Sequence, residues 1–358
     1  FNNHIFWFST KGPYDKKNQI YKKITYKSGI LSKKPNRPSL KFIKKWLDYE
    51  IFSLYNGYLI KKLCEEKKID MIWIIAESLS VPVGLAAMKF TNSKTLLSVL
   101  DDYETSGYYW EKNILLSKSR YLNQFKKIIL NVDKCSVIGE GMQSYYKKKY
   151  NISAQILYPS FSFDITKIKK RNNSKSEILL GVVGSIYEYL NKEWYLLLSS
   201  IKKINSHGLL KIRLLHIGKK VSIRSCTFSF FEDKGWVDEK QLDRMLYDFD
   251  AFIVLQSFSN KKLIETKTSF PLKVSTYLQS RKPIIALCPS YSSVSNFIKK
   301  YKCGVVCNDL DIITLSSMIE NLFSYDIEYD NCIKAIKDLN HLFDEKNFKQ
   351  SIKSFFDF

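Results

Sequence analysis

The sequence contains no apolar run near the roughly 18 residues that a membrane-spanning helix needs, no low-complexity tract and no short-period repeat. Its seven cysteines form no Cys-x-x-Cys pair, and Cys64, Cys226 and Cys288 sit in apolar contexts. Cys303 and Cys307 are four positions apart, but no further His or Cys pair completes a zinc pattern. Reduced thiols in a cytoplasmic protein are therefore expected. Histidine is scarce: His4, His207, His216 and His341 form no constellation, and His216, inside an apolar stretch, reads as a satisfied core residue. No Asp-x-Asp pair stands in a convincing loop, so neither a bound metal nor another cofactor is expected. The start, Phe1-Asn-Asn-His4, is neither a signal peptide nor an initiator methionine and runs straight into the strand-like His4 to Ser9. The expectation is an N-terminal domain lacking its first strand.

What the chain does have is apolar mass. At 358 residues, 45% hydrophobic and 15% aromatic, it suits two globular domains with large cores and not a disordered chain. Acidic residues are short in one half only. Residues 1–175 carry 32 Lys or Arg against 14 Asp or Glu, a net +18, whereas residues 176–358 carry 25 against 21, a net +4. Such asymmetry implies an anionic partner for the N-terminal half, or else a Lys-rich compositional bias that merely solvates a surface. Lysines interleave with aromatic rings at Lys33 to Trp46 and at Tyr145 to Lys149, which suits an anionic membrane surface or single-stranded nucleic acid. No helix-turn-helix, zinc-finger or RNA-recognition signature accompanies them, so nucleic acid is not an expected partner.

Strand-like and helix-like segments alternate along the chain. Helix Leu40 to Lys62 precedes strand Ile69 to Ile75, and helix Val81 to Lys89 precedes strand Thr95 to Leu100. Helix Tyr109 to Val132, strand Ser136 to Ile138, a helix from Met142 and strand Ala154 to Tyr158 follow. After a polar connection at Asp164 to Ser176, the alternation resumes with strands Ile178 to Val183, Lys211 to Ile217, one near Cys226 to Phe231, and Ala251 to Leu255. Helices Lys192 to Ile204 and Glu239 to Tyr247 lie between them. This order predicts α/β architecture with doubly wound parallel sheets.

Ligands of such sheets bind beyond the carboxyl ends of the strands, where three glycine turns fall: Gly181-Val-Val-Gly184-Ser185, Gly218-Lys219-Lys220 and Gly235-Trp236-Val237. Each alone is also compatible with a plain tight turn. Lys192 opens the helix after the first. The most informative segment is Thr268-Ser269-Phe270-Pro271-Leu272-Lys273, which continues through Thr276 and Tyr277-Leu278 to Lys282-Pro283 and the buried run Ile284 to Leu287. A polar loop ending at Pro271 opens a helix with Lys273 in its first turn. Its unpaired N–H groups and dipole favour an anion.

Taken together, the glycine loops, Lys192 and the Pro271–Lys273 helix start resemble, in order, the nucleotide-binding domain of glycosyltransferases of the GT-B fold, in the retaining, family 4-like branch. The likeness covers roughly residues 176–325 and extends more loosely over residues 69–160, through Ser136 to Met142 and Ile156 to Pro159. It implies two Rossmann-like doubly wound domains facing each other across a cleft: an acceptor domain at 1–170, a donor domain at 176–340, and a returning helix at 341–358. By this resemblance a UDP- or GDP-sugar is co-substrate. Gly184, Ser185, Lys192, Gly218, Lys219, Trp236, Val237, Thr268, Ser269, Phe270, Pro271, Leu272 and Thr276 line its site, with Lys273 stabilising the leaving diphosphate. Asp101 and Asp102 would position or deprotonate an acceptor hydroxyl, unless they cap the following segment. The implied acceptor is a saccharide or lipid-linked saccharide of bacterial surface polysaccharide or glycolipid synthesis, met at the inner face of a membrane. The family's Glu-x7-Glu pair maps onto Thr268 and Thr276, which keep hydroxyls but no charge; Glu265 is a candidate substitute. A non-catalytic GT-B-like subunit and a sugar-nucleotide epimerase are the alternatives.

Overall fold

The computed structural model describes residues 6–8, 22–24, 51, 53–77, 80–105, 115–160, 177–208, 210–219, 221 and 228–357. Two compact units result, Phe1–Cys135 and Ser136–Phe358.

In the first unit a short parallel pair joins β1 (Phe6–Phe8) and β2 (Lys22–Ile24). Helix α1 (Ser53–Lys67) packs on α2 (Ser80–Phe90), where Gly57 allows the close approach: a Cβ there would lie 2.7 Å from the Ala86 carbonyl carbon. Of the expected helix Leu40 to Lys62, the part from Ser53 on belongs to α1, and the part before it, apart from Ile51, lies outside the described residues. Strands β3 (Met71–Ile75) and β4 (Lys94–Val99) pair in parallel, starting with Met71 opposite Lys94. Two further strands follow in the chain, β5 (Lys134–Val137) at the boundary of the units and β6 (Ala154–Ile156) in the second. Helix α3 (Leu115–Asn131) presents Tyr121 and Phe125 to Tyr103, which stacks on both at 4.0 and 4.5 Å.

The second unit begins with α4 (Glu140–Tyr150) and β6 and continues into a six-stranded sheet. Its strands are β7 (Glu177–Val183), β8 (Lys211–Ile217), β9 (Phe231–Asp233), β10 (Ala251–Leu255), β11 (Ile284–Leu287) and β12 (Gly304–Cys307). The order β12-β11-β10-β7-β8-β9, with every pair parallel, makes it doubly wound. One face buries Ile178, Leu180, Val182, Ile212, Ile253 and Ile285 against α5 (Asn191–His207) and α10 (Ile312–Ser324). The strands read as near-continuous apolar runs because both faces are covered. Between strands lie α6 (Glu239–Leu246), α7 (Leu263–Thr268), α8 (Leu272–Gln279) and α9 (Ser293–Tyr301); α11 (Asp326–Phe343) and α12 (Glu345–Phe356) close the chain.

Several close contacts hold α4 and β6 in this unit. A Cβ on Gly139 would lie 2.9 Å from that of Phe270, and one on Gly141 would clash with the Lys267 carbonyl and Ser293. Glu140 accepts from Lys300 at 2.8 Å and from Tyr301 at 2.6 Å, and Gln155 donates to the Ser351 carbonyl at 2.9 Å. Among the described residues no helix is long and apolar enough to cross a membrane. Cys64, Cys135, Cys288, Cys303, Cys307 and Cys332 are buried free thiols.

Two local expectations are corrected. The polar stretch before Pro271 is not all loop: residues 263–268 form α7, because Thr266 and Thr268 turn inward and their hydroxyls donate to the carbonyls of Ser257 and Ile264. Strand β9 sits at Phe231–Asp233, at the end of the stretch expected near Cys226 to Phe231 and beyond it: residues 228–230 lead into it without strand pairing, and Cys226 lies outside the described residues.

Candidate functional site

The chain winds from β7 outward to β9, then returns to β7's other side through β10 to β12. The switch between β7 and β10 opens the crevice where such sheets bind ligands, beyond the carboxyl ends of the strands. Three glycine turns meet there. Gly184 after β7 has φ +98°, Gly218 after β8 has +154°, and Gly235 after β9 has +68°. The Gly184 amide donates to the Ile217 carbonyl at 2.8 Å, and the Gly218 amide donates to the Gly235 carbonyl at 3.0 Å. A Cβ on Gly218 would stand 2.6 Å from the Gly184 oxygen, so the turns touch only because glycine is present.

On the other side of the switch stands α8. Pro271 is its N-cap with extended ψ of 132°, so the helix begins at Leu272, one position later than expected, and no side chain caps the turn. The Val274 amide turns back to the Pro271 carbonyl at 2.9 Å, which leaves the Leu272 and Lys273 amides to a ligand or to water. Lys273 lies in this first turn at intermediate exposure. Desolvation of its ammonium lowers its pKa to about 8, so the site favours an incoming negative charge. Tyr277, one turn further, is fully buried and stacked on Phe252 at 4.1 Å and 4°. Its hydroxyl accepts the Val183 amide at 2.8 Å and lies 3.3 Å from the Val183 carbonyl. One side chain thus couples the lysine-bearing helix to the strand end that carries Gly184. Burial pushes the Tyr277 phenol up, so it stays a neutral hydroxyl.

The other residues singled out in the sequence fall into two groups. Ser185 follows Gly184 and is half-buried, as are Ser269, Pro271, Thr276 and Val237. Phe270 is buried, its ring among Tyr158, Phe297 and Phe343, so only its backbone is offered to a ligand. Thr268 is closed from solvent, its hydroxyl donated to the Ile264 carbonyl at 2.8 Å. Glu265, one turn earlier, is drawn to the loop after β7, where it accepts from Lys262 at 2.6 Å and from the Tyr189 hydroxyl at 3.2 Å. Lys192, Lys219 and Leu272 are exposed, and Trp236 is 76% exposed. Asp101 and Asp102 belong to the first unit. Asp101 is exposed, while Asp102 is buried and its carboxylate accepts the Glu104 and Thr105 amides at 3.2 Å, a capping arrangement.

Sequence reasoning did not anticipate the polar pair beneath the glycine turns. His216 is fully buried; its Nδ1 lies 3.0 Å from Asp233 Oδ1 and its Nε2 2.8 Å from the Gly184 carbonyl. Burial works against the Asp233 charge, but bonds from the Val221 amide, from His216 and from the Gly235 amide outweigh it and hold the carboxyl below its usual range. The available signal was a histidine one residue from a strand's carboxyl end with an aspartate two before the next glycine turn. Glu193 is a buried carboxylate that accepts the Phe258 amide at 2.9 Å.

No protein-family model and no curated protein sequence matches the chain. Solved structures do match in fold. A sucrose-phosphate synthase from Thermosynechococcus elongatus superposes with a TM-score of 0.61 at 11% identity, over 96% of this chain and 85% of that one. A glycosyltransferase from Rickettsia africae gives 0.61 at 14% identity, over 93% and 84%. HepE of Anabaena, solved in complex with UDP-glucose, gives 0.59 at 11% identity, over 83% and 80%. The protein therefore has the fold of these GT-B enzymes, with Rossmann-like parallel sheets.

Proposed function

We propose that this protein is a glycosyltransferase that moves a sugar from a nucleoside diphosphate sugar to an acceptor hydroxyl. The observation that carries this reading is the Tyr277 link, which sets the uncapped start of α8 and Lys273 beside the Gly184 turn at the switch point of the sheet. Cleavage of the sugar–phosphate bond puts negative charge on the leaving diphosphate. Amides of a helix start and a desolvated ammonium stabilise that charge most where it develops. That HepE was solved with UDP-glucose supports a UDP-sugar donor for this shared fold. Gly184, Ser185 and Lys273 are assigned to the phosphates, Trp236 and Val237 to the base, and Glu265 to the ribose or sugar hydroxyls in place of the Glu-x7-Glu pair.

The acceptor side rests on charge. Lys147, Lys148 and Lys149 end α4 exposed, and the Lys149 ammonium lies 5.3 Å from the ring centres of both Tyr145 and Tyr150. We assign this face to an anionic membrane surface bearing a lipid-linked saccharide, which places the protein at the cytoplasmic side. A hexose as the transferred sugar and chemistry without a metal belong to the same proposal.

Calorimetry with UDP and GDP, followed by acceptor-free hydrolysis of the corresponding sugars, tests the reading; no binding of either nucleotide would refute it. A second reading, a nucleotide-binding subunit without catalysis, is favoured by Thr268, whose hydroxyl is spent on Ile264 where the family has a carboxylate. Binding without any hydrolysis or transfer is the outcome that reading requires.

A further inference from the structure

The His216–Asp233 pair is used by none of the steps above. The Gly184 carbonyl, 2.8 Å from Nε2, only accepts, so Nε2 must carry a hydrogen. On the other side, Asp233 also only accepts when ionised: Oδ1 takes the Gly235 amide at 3.1 Å and Oδ2 the Val221 amide at 2.9 Å. A bare Nδ1 held 3.0 Å from Oδ1 would set lone pair against lone pair on a fully buried ring. Among the described residues the other elements around the ring make no further hydrogen bond to it, and the Trp194 Nε1–H is itself without a partner. Helix α5 presents the indole of Trp194, with ring centres 6.4 Å apart, and the β7 turn presents only the carbonyl.

We propose that His216 is a positioning residue of the donor site: an imidazolium, held by Asp233, that pins the Gly184 carbonyl inward and so offers the Ser185 amide of the same peptide to a phosphate. The proposal rests on the nucleotide-sugar reading. Among the described residues the Ser185 amide has no partner. A donor on a peptide's oxygen strengthens its N–H as a donor, because linked hydrogen bonds polarise one another. The turn is poised for this: Gly184 adopts φ +98°, and a Cβ there would meet nothing within 4 Å. A charge on a fully buried ring is a poor device for stability alone, since an apolar side chain would fill the same space at less desolvation cost. Its retention fits a role in holding one peptide in one orientation.

Nitrogen-15 NMR of the full chain with labelled histidine reads the ring directly, with the His216 signals assigned by their loss in His216→Gln. In the wild-type protein at neutral pH both ring nitrogens of His216 are expected in the protonated form. In Asp233→Asn the ring is expected to revert to one protonated nitrogen, and the Kd for UDP to rise about tenfold, or 1.4 kcal/mol. A neutral His216 ring in the wild type overturns the proposal. So does unchanged UDP affinity in Asp233→Asn together with a changed ring spectrum. If the wild type binds no UDP, the nucleotide reading and the phosphate role fall together, while the spectrum still decides whether the imidazolium exists.

Discussion

Tyr277 and Val183 are 94 residues apart, yet the phenol of one accepts the amide of the other at 2.8 Å inside the core. The bond joins α8 to the carboxyl end of β7, so the two halves of the doubly wound sheet meet at the point where a ligand would sit. Removing the hydroxyl in Tyr277→Phe leaves the Val183 amide buried without a partner, which costs about 1–3 kcal/mol. Urea unfolding of the variant should show a lower midpoint with UDP affinity weakened in parallel; an unchanged midpoint would mean that the bond is not formed in solution.

The glycine turns are predicted to differ in tolerance. Gly218→Ala must relieve both a φ of +154° and a Cβ 2.6 Å from the Gly184 oxygen, whereas Gly184→Ala meets only its φ of +98°. Strained backbone of this kind costs on the order of 1–3 kcal/mol. In thermal melts Gly218→Ala should be the less stable of the two, and the reverse ranking would count against the packed arrangement of the turns.

Lys273 should make nucleotide binding pH-dependent. Its pKa in the free protein is lowered to about 8, and a diphosphate favours the charged form. UDP affinity should therefore fall as pH rises through about 8, with proton uptake on binding just above that value. Lys273→Ala should lower affinity by roughly 1.5–3 kcal/mol and abolish the step. In the free protein the linkage has the opposite sense. Below pH 8 the desolvated ammonium costs stability, and this cost is relieved between about 8 and 10.4, where the unfolded chain holds the proton and the folded one does not. A pH-independent Kd in the wild type would remove Lys273 from the site.

Asp233 sets an acid limit. Its carboxyl is held below the usual range in the folded protein, so it contributes stability that is fully present above its unfolded value of about 3.9 and is lost as pH falls through its folded value. Acid unfolding followed by tryptophan fluorescence should be shallower in Asp233→Asn than in the wild type. Identical acid limbs would place the carboxylate outside the folded-state network.

The exposed lysines of α4 supply the membrane test. Each lysine near an anionic surface contributes on the order of 1 kcal/mol, so changing Lys147, Lys148 and Lys149 to Glu should release the protein from anionic vesicles in sedimentation assays. Neutral vesicles should bind neither form. Equal binding of the wild type to both vesicle types would make the charge a matter of composition.

Much of the second unit was legible because its strands are largely apolar runs. Lys211–Ile217 and Ala251–Leu255 lie where the sequence places them, with Gly218 closing the first. Strand β9 was misplaced because two of its three paired residues, Glu232 and Asp233, are charged and do not read as strand. Helix α7 was hidden because Thr266 and Thr268 read as loop residues until their hydroxyls find carbonyls in a packed interior. The polar stretches at Lys33 to Trp46 and at 161–176 lie outside the described residues.

By itself, the sequence determined which segments become strands and helices, that three strands end in glycine, and that Lys273 stands in the first turn after Pro271. These follow from local rules of periodicity, capping and φ preference, which act over a few residues. Tertiary structure alone decided that Gly218 meets Gly184, that Tyr277 reaches Val183, that Glu265 turns to Tyr189, and that His216 is gripped between Asp233 and Gly184. Those pairings depend on the strand order of the sheet and on the burial that makes an unpaired polar atom costly, and neither is written in any local pattern.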